Sequence, residues 1–317
     1  MIDITEIKLE VLQHLIPQLY NAIAIEPIHK GVSTDEKVMI HMPNNEKQLL
    51  RLFDLAEFEQ KQLEYETIRA LNGFVFKCSM ALACGRLLDY NLAYMLLTYI
   101  EGEDARDELP KLTEAEQYQI GFDAGRELLK MHQLKAPPHI SPWYDRKVVK
   151  HRECVRAYAK LNVKFNNDSK VIDFIEDHLE LMKGCPNLFQ HDDIHIGNVI
   201  VKERKFAGLI DFNRYDWGDP VHDFLKMGMF NRQLSIPFSI GQIDGYHSSH
   251  APNELFWQLY ALYLAMSLFD SVVWVHEFEP ENLTSLLGKI DVILADHCNF
   301  DQVKPGWYAS IYHKDIK

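Results

Sequence analysis

Positive charge is in short supply in this chain. Its 317 residues carry 33 Lys and Arg against 46 Asp and Glu, a formal net charge of −13. That balance argues against a general affinity for nucleic acid, whose phosphates call for a basic surface. Cysteine is sparse as well: five residues, scattered, odd in number and never in a CxxC pair, which points to reduced thiols in a cytoplasmic protein. The first residues, MIDITEIKLE, are acidic and lack an apolar signal core, so no secretory peptide is expected. Long apolar runs are missing except for LFWQLYALYLAMSLFDSVVWV at 255–275. Gln258 and Asp270 interrupt that run, and HEFEPEN follows where a basic flank would anchor a membrane span. A buried helix is the expectation, with no membrane partner. Repeats and low-complexity tracts are also absent.

What remains is the composition of a soluble globular protein, 47% hydrophobic and 25% charged, long enough for one large or two medium domains. The first hundred residues read mainly as strands: AIAIEPIHK, VMIHM and KQLLRLF, separated by GVSTDE and PNNE. A helix is expected over LAEFEQKQLEYETIRAL, with Phe58, Leu63, Ile68 and Leu71 facing inward. A hairpin of MALACGRLL and NLAYMLLTYI should follow, turning at Asp89-Tyr90-Asn91. Beyond it the chain turns helical. Thr113 and Glu116 form a capping box before YQIGFDAGRELLKMHQL. Further helices are expected near 147–162, 169–183, 221–232, 253–276 and 281–296. The exception is a pair of short strands, NVIV and AGLIDF, joined by KERK.

The stretch FQHDDIHIGNVIVKERKFAGLIDF, 189–212, concentrates three aspartates, two histidines and an asparagine around those strands. A hairpin brings its open ends together, so Asn198 and Asp211 should converge, with Asp193 in the preceding loop beside them. An amide oxygen and carboxylates make a hard oxygen site suited to Mg²⁺, and a carboxylate not consumed as a ligand can orient a hydroxyl and accept its proton. Each residue taken singly is also an ordinary turn former. His191 and His195 stand four apart, yet no Glu completes HExxH and no third ligand is apparent, which argues against zinc. Support of the loop is the expected role of both, with a place nearer the phosphates as the alternative for His195.

HDDIHIGN resembles the HxDxHxxN signature of the aminoglycoside phosphotransferase and choline kinase-like family, distant relatives of the protein kinases. LIDF followed by WGDPVHDF resembles that family's second metal motif and the segment behind it. The resemblance implies an α+β, bilobal protein-kinase-like fold, with a small β-rich lobe at 1–97 and a larger, mainly helical lobe at 98–317. It makes Asp193 the catalytic aspartate, Asn198 and Asp211 the magnesium ligands, and Asp219 and Asp223 structural. GVSTDE takes the place of the nucleotide loop, with Gly31 and Ser33 at the phosphates. Arg51 replaces the family's usual phosphate-gripping lysine, with Glu64 as its partner and Glu66 as the alternative. Backbone near Leu97 to Tyr99 would meet the adenine. A second departure is Asp192, where the family usually has Gly; its carboxylate would compete for metal or raise the pKa of Asp193.

The implied activity is transfer of the γ-phosphoryl group of ATP or GTP, with Mg²⁺, to a hydroxyl of a small molecule, an aminoglycoside first of all, as in antibiotic resistance. Choline, homoserine, macrolides or sugars are alternative acceptors. A catalytically inactive nucleotide-binding regulator and a metal-dependent phosphohydrolase are the rival readings. In this family the C-terminal helices hold the acceptor. Here Asp270, Trp274 and Glu277, with Glu279 and Glu281 beyond, make an acidic, aromatic region suited to a cationic acceptor.

Overall fold

Strand alternation builds the first of two units. A computed structural model describes residues 8–29, 35–74 and 77–311. The first unit comprises Met1–Gly102 and Ala207–Asn213; the second comprises Glu103–Phe206 and Arg214–Lys317. The first unit thus runs past Leu97 and takes back a short segment from much later in the chain. After a short helix α1 (Leu9–Leu15) come strands β1 (Ala24–Ile28), β2 (Glu36–His41) and β3 (Lys47–Asp54), helix α2 (Phe58–Leu71), and strands β4 (Ala81–Leu87) and β5 (Leu92–Thr98). The strands form one antiparallel sheet in the order β1-β2-β3-β5-β4. The expected hairpin is there, turning through Asn91 at φ 53°, a left-handed conformation that asparagine tolerates.

Alternation along β3 sends Leu50 and Leu52 into a core shared with Leu12, Ile16, Val38, Ile40 and Leu96 and sends Arg51 to the other face, where α2 lies. The inward stripe of α2 is Phe58, Lys61, Glu64, Ile68 and Leu71. Leu63, expected inside, is 63% exposed. Two charged residues take the inward positions because they pair with charges from the sheet, and an apolar count could not register that pairing.

The second unit opens with β6 (Glu103–Asp104) and α3 (Ala105–Glu108), then α4 (Glu114–Met131), whose capping box forms as expected. Helices α5 (Trp143–Ala159) and α6 (Asp168–His178) follow, then β7 (Leu188–Gln190), β8 (Val199–Lys202), β9 (Lys205–Leu209), whose last residues belong to the segment counted with the first unit, and β10 (Asp216–Gly218). β7 pairs with β10, and the remaining sheet order is β6-β8-β9. Glu203 and Arg204, in the tight turn after β8, have φ of 51° and 63°, the two positive values of a type I′ hairpin turn. Last come α7 (Arg232–Leu234), α8 (Ile236–Tyr246), α9 (Glu254–Phe278), α10 (Leu283–Asp296) and α11 (Gly306–Ile311).

Helix α9 is long and apolar enough to cross a membrane, but most of its length is buried inside the protein, packed against α5, α6 and α10. The continuous helix expected over 221–232 is instead a 3₁₀ turn at Pro220–Phe224, a π turn at Met227–Asn231 and then α7. Sequence reading misses α8 altogether. Nearly every residue from Phe238 to Gly245 is buried, so no polar stripe marks a helical period, and two glycines lower its propensity.

Those glycines set how α8 crosses α4. A Cβ on Gly121 would lie 2.0 Å from the Phe238 carbonyl oxygen, and one on Gly125 2.1 Å from that of Gln242. The reverse holds for Gly241 against Tyr118, at 2.1 Å, and Gly245 against Phe122, at 2.0 Å. The backbones meet with no room for a side chain, an approach that requires small residues on both helices. Gly125→Val is therefore expected to destabilise the protein by at least about 2 kcal/mol, read as a lower urea midpoint at unchanged slope.

Candidate active site

Residues 191–198 form a loop held from behind by one carboxylate. Asp223 is 1% exposed. Its Oδ2 accepts the backbone N–H of His191 at 2.8 Å, and its Oδ1 accepts that of Asp192 at 2.7 Å. His132, at the end of α4, donates through Nε2 to Asp223 Oδ2 at 3.0 Å and accepts the Tyr246 hydroxyl at Nδ1, 2.9 Å. Asp219 braces the adjoining turn: its Oδ1 accepts the Val221 N–H, and its Oδ2 accepts the Tyr263 hydroxyl at 2.7 Å. Both aspartates, expected to be structural, hydrogen-bond to backbone of the loop or its neighbouring turn. Farther along, Ile196 N–H donates to Asn231 Oδ1, and Asn231 in turn reaches Gln242 on α8. A Cβ on Gly197 would fall 2.2 Å from the Arg106 guanidinium, so a side chain there would have to displace the end of that arginine.

Asp192 has φ 59°, which explains why glycine suits this position and why aspartate is tolerated in its place. The left-handed turn carries its side chain to His222, whose Nδ1 lies 2.9 Å from Asp192 Oδ1. Asp193 Oδ1 meets the Lys226 ammonium at 3.0 Å, and His195 Nε2 stands 3.8 Å from Oδ2. Burial opposes ionisation of Asp193, but the Lys226 charge and hydrogen bond outweigh it, so its pKa lies below the ordinary carboxylate value. The expected upward push from Asp192 is thus corrected: Asp193 is ionised at neutral pH.

Asn198 donates through Nδ2 to the Asp193 carbonyl at 2.8 Å, with Asp193 Oδ2 at 3.5 Å. Pinned by its nitrogen, the amide presents Oδ1 as a hard oxygen donor, which fits a magnesium ligand. His195 accepts the Gly197 N–H at Nδ1, closing the loop, and His191 is fully buried. Asp211 belongs to the first unit and is half-buried, with φ 68°.

In the first unit Arg51 is committed to carboxylates. Its Nη1 donates to Glu64 at 2.5 Å, and Nε and Nη2 donate to Asp35 at 2.7 and 2.5 Å. Lys61 also donates to Asp35, at 2.8 and 2.9 Å. The Arg51–Glu64 pair is therefore formed, while Glu66 pairs with Arg69. Burial disfavours the Arg51 charge, yet Glu64 and Asp35 outweigh it and raise its pKa further. Asp35 was not anticipated. Gly31 and Ser33 lie outside the described residues.

Of the backbone expected to face the adenine, Leu97 sits within the β5 ladder, Thr98 N–H donates to Met80 O, and Tyr99 N–H donates to Lys47 O at 3.2 Å. Those two amides are taken up within the first unit, and a ligand there would meet carbonyl groups or the backbone after Tyr99.

Of the three residues expected to bind the acceptor, Asp270 stands 4.0 Å from Lys147 Nζ. Trp274 stacks on Phe278 at the surface, and Glu277 is exposed. Sequence reading missed Lys226, Lys147 and Lys150, which no motif singles out, and His222, which stands inside WGDPVHDF but was given no role. It also missed Phe230, 42% exposed, against which His195 packs at 5.7 Å.

The phosphotransferase enzyme family model matches residues 24–260. A search of curated proteins returns no match. Among solved structures, the gentamicin complex of APH(2″)-IIa is 16% identical with a TM-score of 0.63, covering 94% of this chain and 99% of that one. A GDP complex of an aminoglycoside 2′-phosphotransferase is 12% identical with a TM-score of 0.65, covering 93% and 99%. A thermostable mutant of APH(4)-Ia in ternary complex with ADP and hygromycin B is 15% identical with a TM-score of 0.62, covering 90% and 98%. The fold, a β-sheet N-terminal region followed by a helical C-terminal region, is theirs.

Removing the carboxylate behind the loop should be costly. Asp223→Ala leaves two backbone N–H groups and His132 without their acceptor, and the expected destabilisation is roughly 3 kcal/mol or more. Urea unfolding measures it.

Proposed function

Because the chain belongs to the phosphotransferase enzyme family, we propose that it is a small-molecule kinase transferring the γ-phosphoryl group of ATP or GTP to a substrate hydroxyl. One observation carries this reading: an ionised Asp193 on a braced loop, beside an asparagine whose amide oxygen is turned to ligand duty. Asp193 orients the acceptor hydroxyl and takes its proton late, as suits a loose phosphoryl-transfer transition state. Lys226, 3.0 Å from that carboxylate, keeps it ionised and adds positive charge where negative charge develops. Asn198 and Asp211 are the residues that would hold Mg²⁺, which when bound neutralises phosphate charge.

In the first unit Arg51 remains the cation assigned to the phosphates. Its fork is filled by Asp35 and Glu64, so phosphate engagement would require Asp35 to yield, with Lys61 retaining it. The adenine edge is assigned to backbone from Ile100 onward. Complexes of solved neighbours with GDP and with ADP support a nucleotide co-substrate. An inactive nucleotide-binding regulator is the weaker reading, because it gives no reason to keep Asp193 ionised and Asn198 oriented.

An aminoglycoside acceptor is suggested by the gentamicin and hygromycin B complexes. Cationic sugars ask for carboxylates free to meet ammonium groups. Here Asp193 is met by Lys226 and Asp216 by Arg146, so the acceptor class needs its own argument.

Two outcomes test the mechanism. Asp193→Asn should lower acceptor-dependent turnover at least about a hundredfold, measured as ADP or GDP release across an acceptor panel; unchanged turnover overturns the role. The second is a pH profile. The depressed pKa keeps the base form until pH falls below the ordinary carboxylate range, and folding stability from Asp193 is likewise lost only as pH falls through that folded value. Lys226→Met removes the stabilising charge and leaves burial to raise the pKa, so the acid limb of kcat/KM should move to higher pH.

A further inference from the structure

Beside Asp192 the second unit has a small pocket lined by Trp143, Arg146, Lys147 and Lys150 of α5, together with Asp192, Asp216 and His222. Its cations differ in how they are used. Arg146 is spent on the fold: Nε donates to Ser141 O, Nη1 to Asp216 at 3.0 Å and Nη2 to Trp217 O. Lys147 is 4% exposed, and its ammonium makes one hydrogen bond among the described residues, to His222 Nε2 at 3.0 Å. The one carboxylate within salt-bridge reach, Asp270, stands 4.0 Å off, beyond hydrogen-bond distance. An ammonium carries three N–H donors, so two of them have no protein acceptor. Lys150 is exposed and makes no hydrogen bond or ion pair among the described residues.

Burial lowers the Lys147 pKa, with the Asp270 and Asp192 charges opposing it, so the ammonium form is expensive unless an anion completes it. His222 does not supply one. It accepts from Lys147 at Nε2, so its proton sits on Nδ1 facing Asp192. Burial and the neighbouring Lys147 both lower its pKa and keep it neutral. Asp192 is turned to His222, and Asp216 is held by Arg146. The charge that the pocket leaves unanswered is positive.

We propose that this pocket receives a negatively charged group of the acceptor, a carboxylate or phosphate, on Lys147 and Lys150, while the acceptor's hydroxyl is presented to the neighbouring Asp193. The inference rests on the phosphotransfer reading above and narrows its substrate to hydroxyl compounds bearing an anion, such as sugar acids or phosphorylated polyols. An aminoglycoside would instead bring ammonium groups against two lysines, a like-charge contact that opposes binding.

Calorimetry on the full chain without nucleotide, titrating gluconate and glycerol phosphate with gentamicin as the cationic comparator, tests the pocket apart from catalysis. One or both anions should bind, gluconate alone marking a carboxylate site and glycerol phosphate alone a phosphate site. Lys150→Glu, at an exposed residue with no partner to lose, should weaken that binding about tenfold to a hundredfold, with Lys150→Arg restoring most of it. In turnover the same substitution should raise KM for the anionic acceptor and leave kcat nearly unchanged. Gentamicin binding with neither anion bound overturns the proposal, as does anion affinity indifferent to Lys150→Glu. An anion that binds through Lys150 but is never phosphorylated overturns its assignment to the acceptor. If nucleotide consumption is also the same in wild type and Asp193→Asn, the phosphotransfer reading fails separately, and the calorimetric result still stands for the pocket.

Discussion

The geometry of the loop at 191–198 depends on the Asp223 carboxylate. Two consecutive backbone N–H groups, from His191 and Asp192, converge on its two oxygens. That convergence suits the left-handed turn at Asp192, because a regular strand would send successive amides to opposite sides. The turn divides the work of neighbouring aspartates, sending Asp192 toward His222 and Asp193 toward Lys226 and Asn198. The carboxylate itself is fixed from the helices. His132 ends α4, Tyr246 ends α8, and the two meet through a hydrogen bond while His132 reaches Asp223. Glycine-to-backbone contact between α4 and α8 sets the spacing of those helix ends, so a packing feature far from any motif positions the loop that carries Asp193. Gln242 on α8 adds a second strut through Asn231 to the Ile196 amide.

Much of this site is legible in the sequence because its chemistry is local. HDDIHIGN lies within one loop, and the second motif, WGDPVHDF, supplies both Asp219 and Asp223. The order of residues therefore nearly fixes which groups can meet. The partners that tune the loop are remote. Lys226 follows the motif without belonging to it, and Lys147 stands 75 positions before His222. No spacing rule joins such pairs; only the packing of α5 against the loop does. Asp35 escaped for a related reason. Within GVSTDE it reads as a loop former, yet it is buried and shared by Arg51 and Lys61.

The fold divides along similar lines. The sheet strands, the Asn91 hairpin and the capped start of α4 follow from patterns of two and three residues that operate within one segment. Helix α8 carries no such pattern, since it is buried on nearly every side. The turns after Asp219 defeat a simple helical reading because the hydrogen-bond period shifts from the 3₁₀ turn to the π turn and then to α7. The π turn contains Phe230, which flanks His195; insertions of this kind recur at functional sites because they re-aim side chains without ending the helix. The adenine-facing backbone shows the opposite limit. Motif alignment placed it at Leu97 to Tyr99, but strand pairing consumes the Thr98 and Tyr99 amides, and only an account of every backbone donor shows that.

Net charge says little about the pocket beside Asp192. The chain carries −13 overall, and its acidic C-terminal helices point by composition to a cationic acceptor. Recognition depends instead on which charges remain unanswered at close range, since exposed charges more than a Debye length away, about 8 Å at physiological salt, are screened. At that scale Asp193 and Asp216 have cationic partners, and Asp192 is turned toward His222. Lys147 is buried with its nearest carboxylate at 4.0 Å. A protein can thus be acidic as a whole and hold a buried, weakly paired lysine beside the loop proposed to read a small substrate. Acidity elsewhere then acts against anionic ligands generally, so a bound anion owes its affinity to contacts within the pocket and not to long-range attraction. That arrangement favours specificity over speed of capture, because attraction at a distance would gather every phosphate and carboxylate in the surroundings, whereas a buried ammonium rewards the molecule whose shape carries its charge inside.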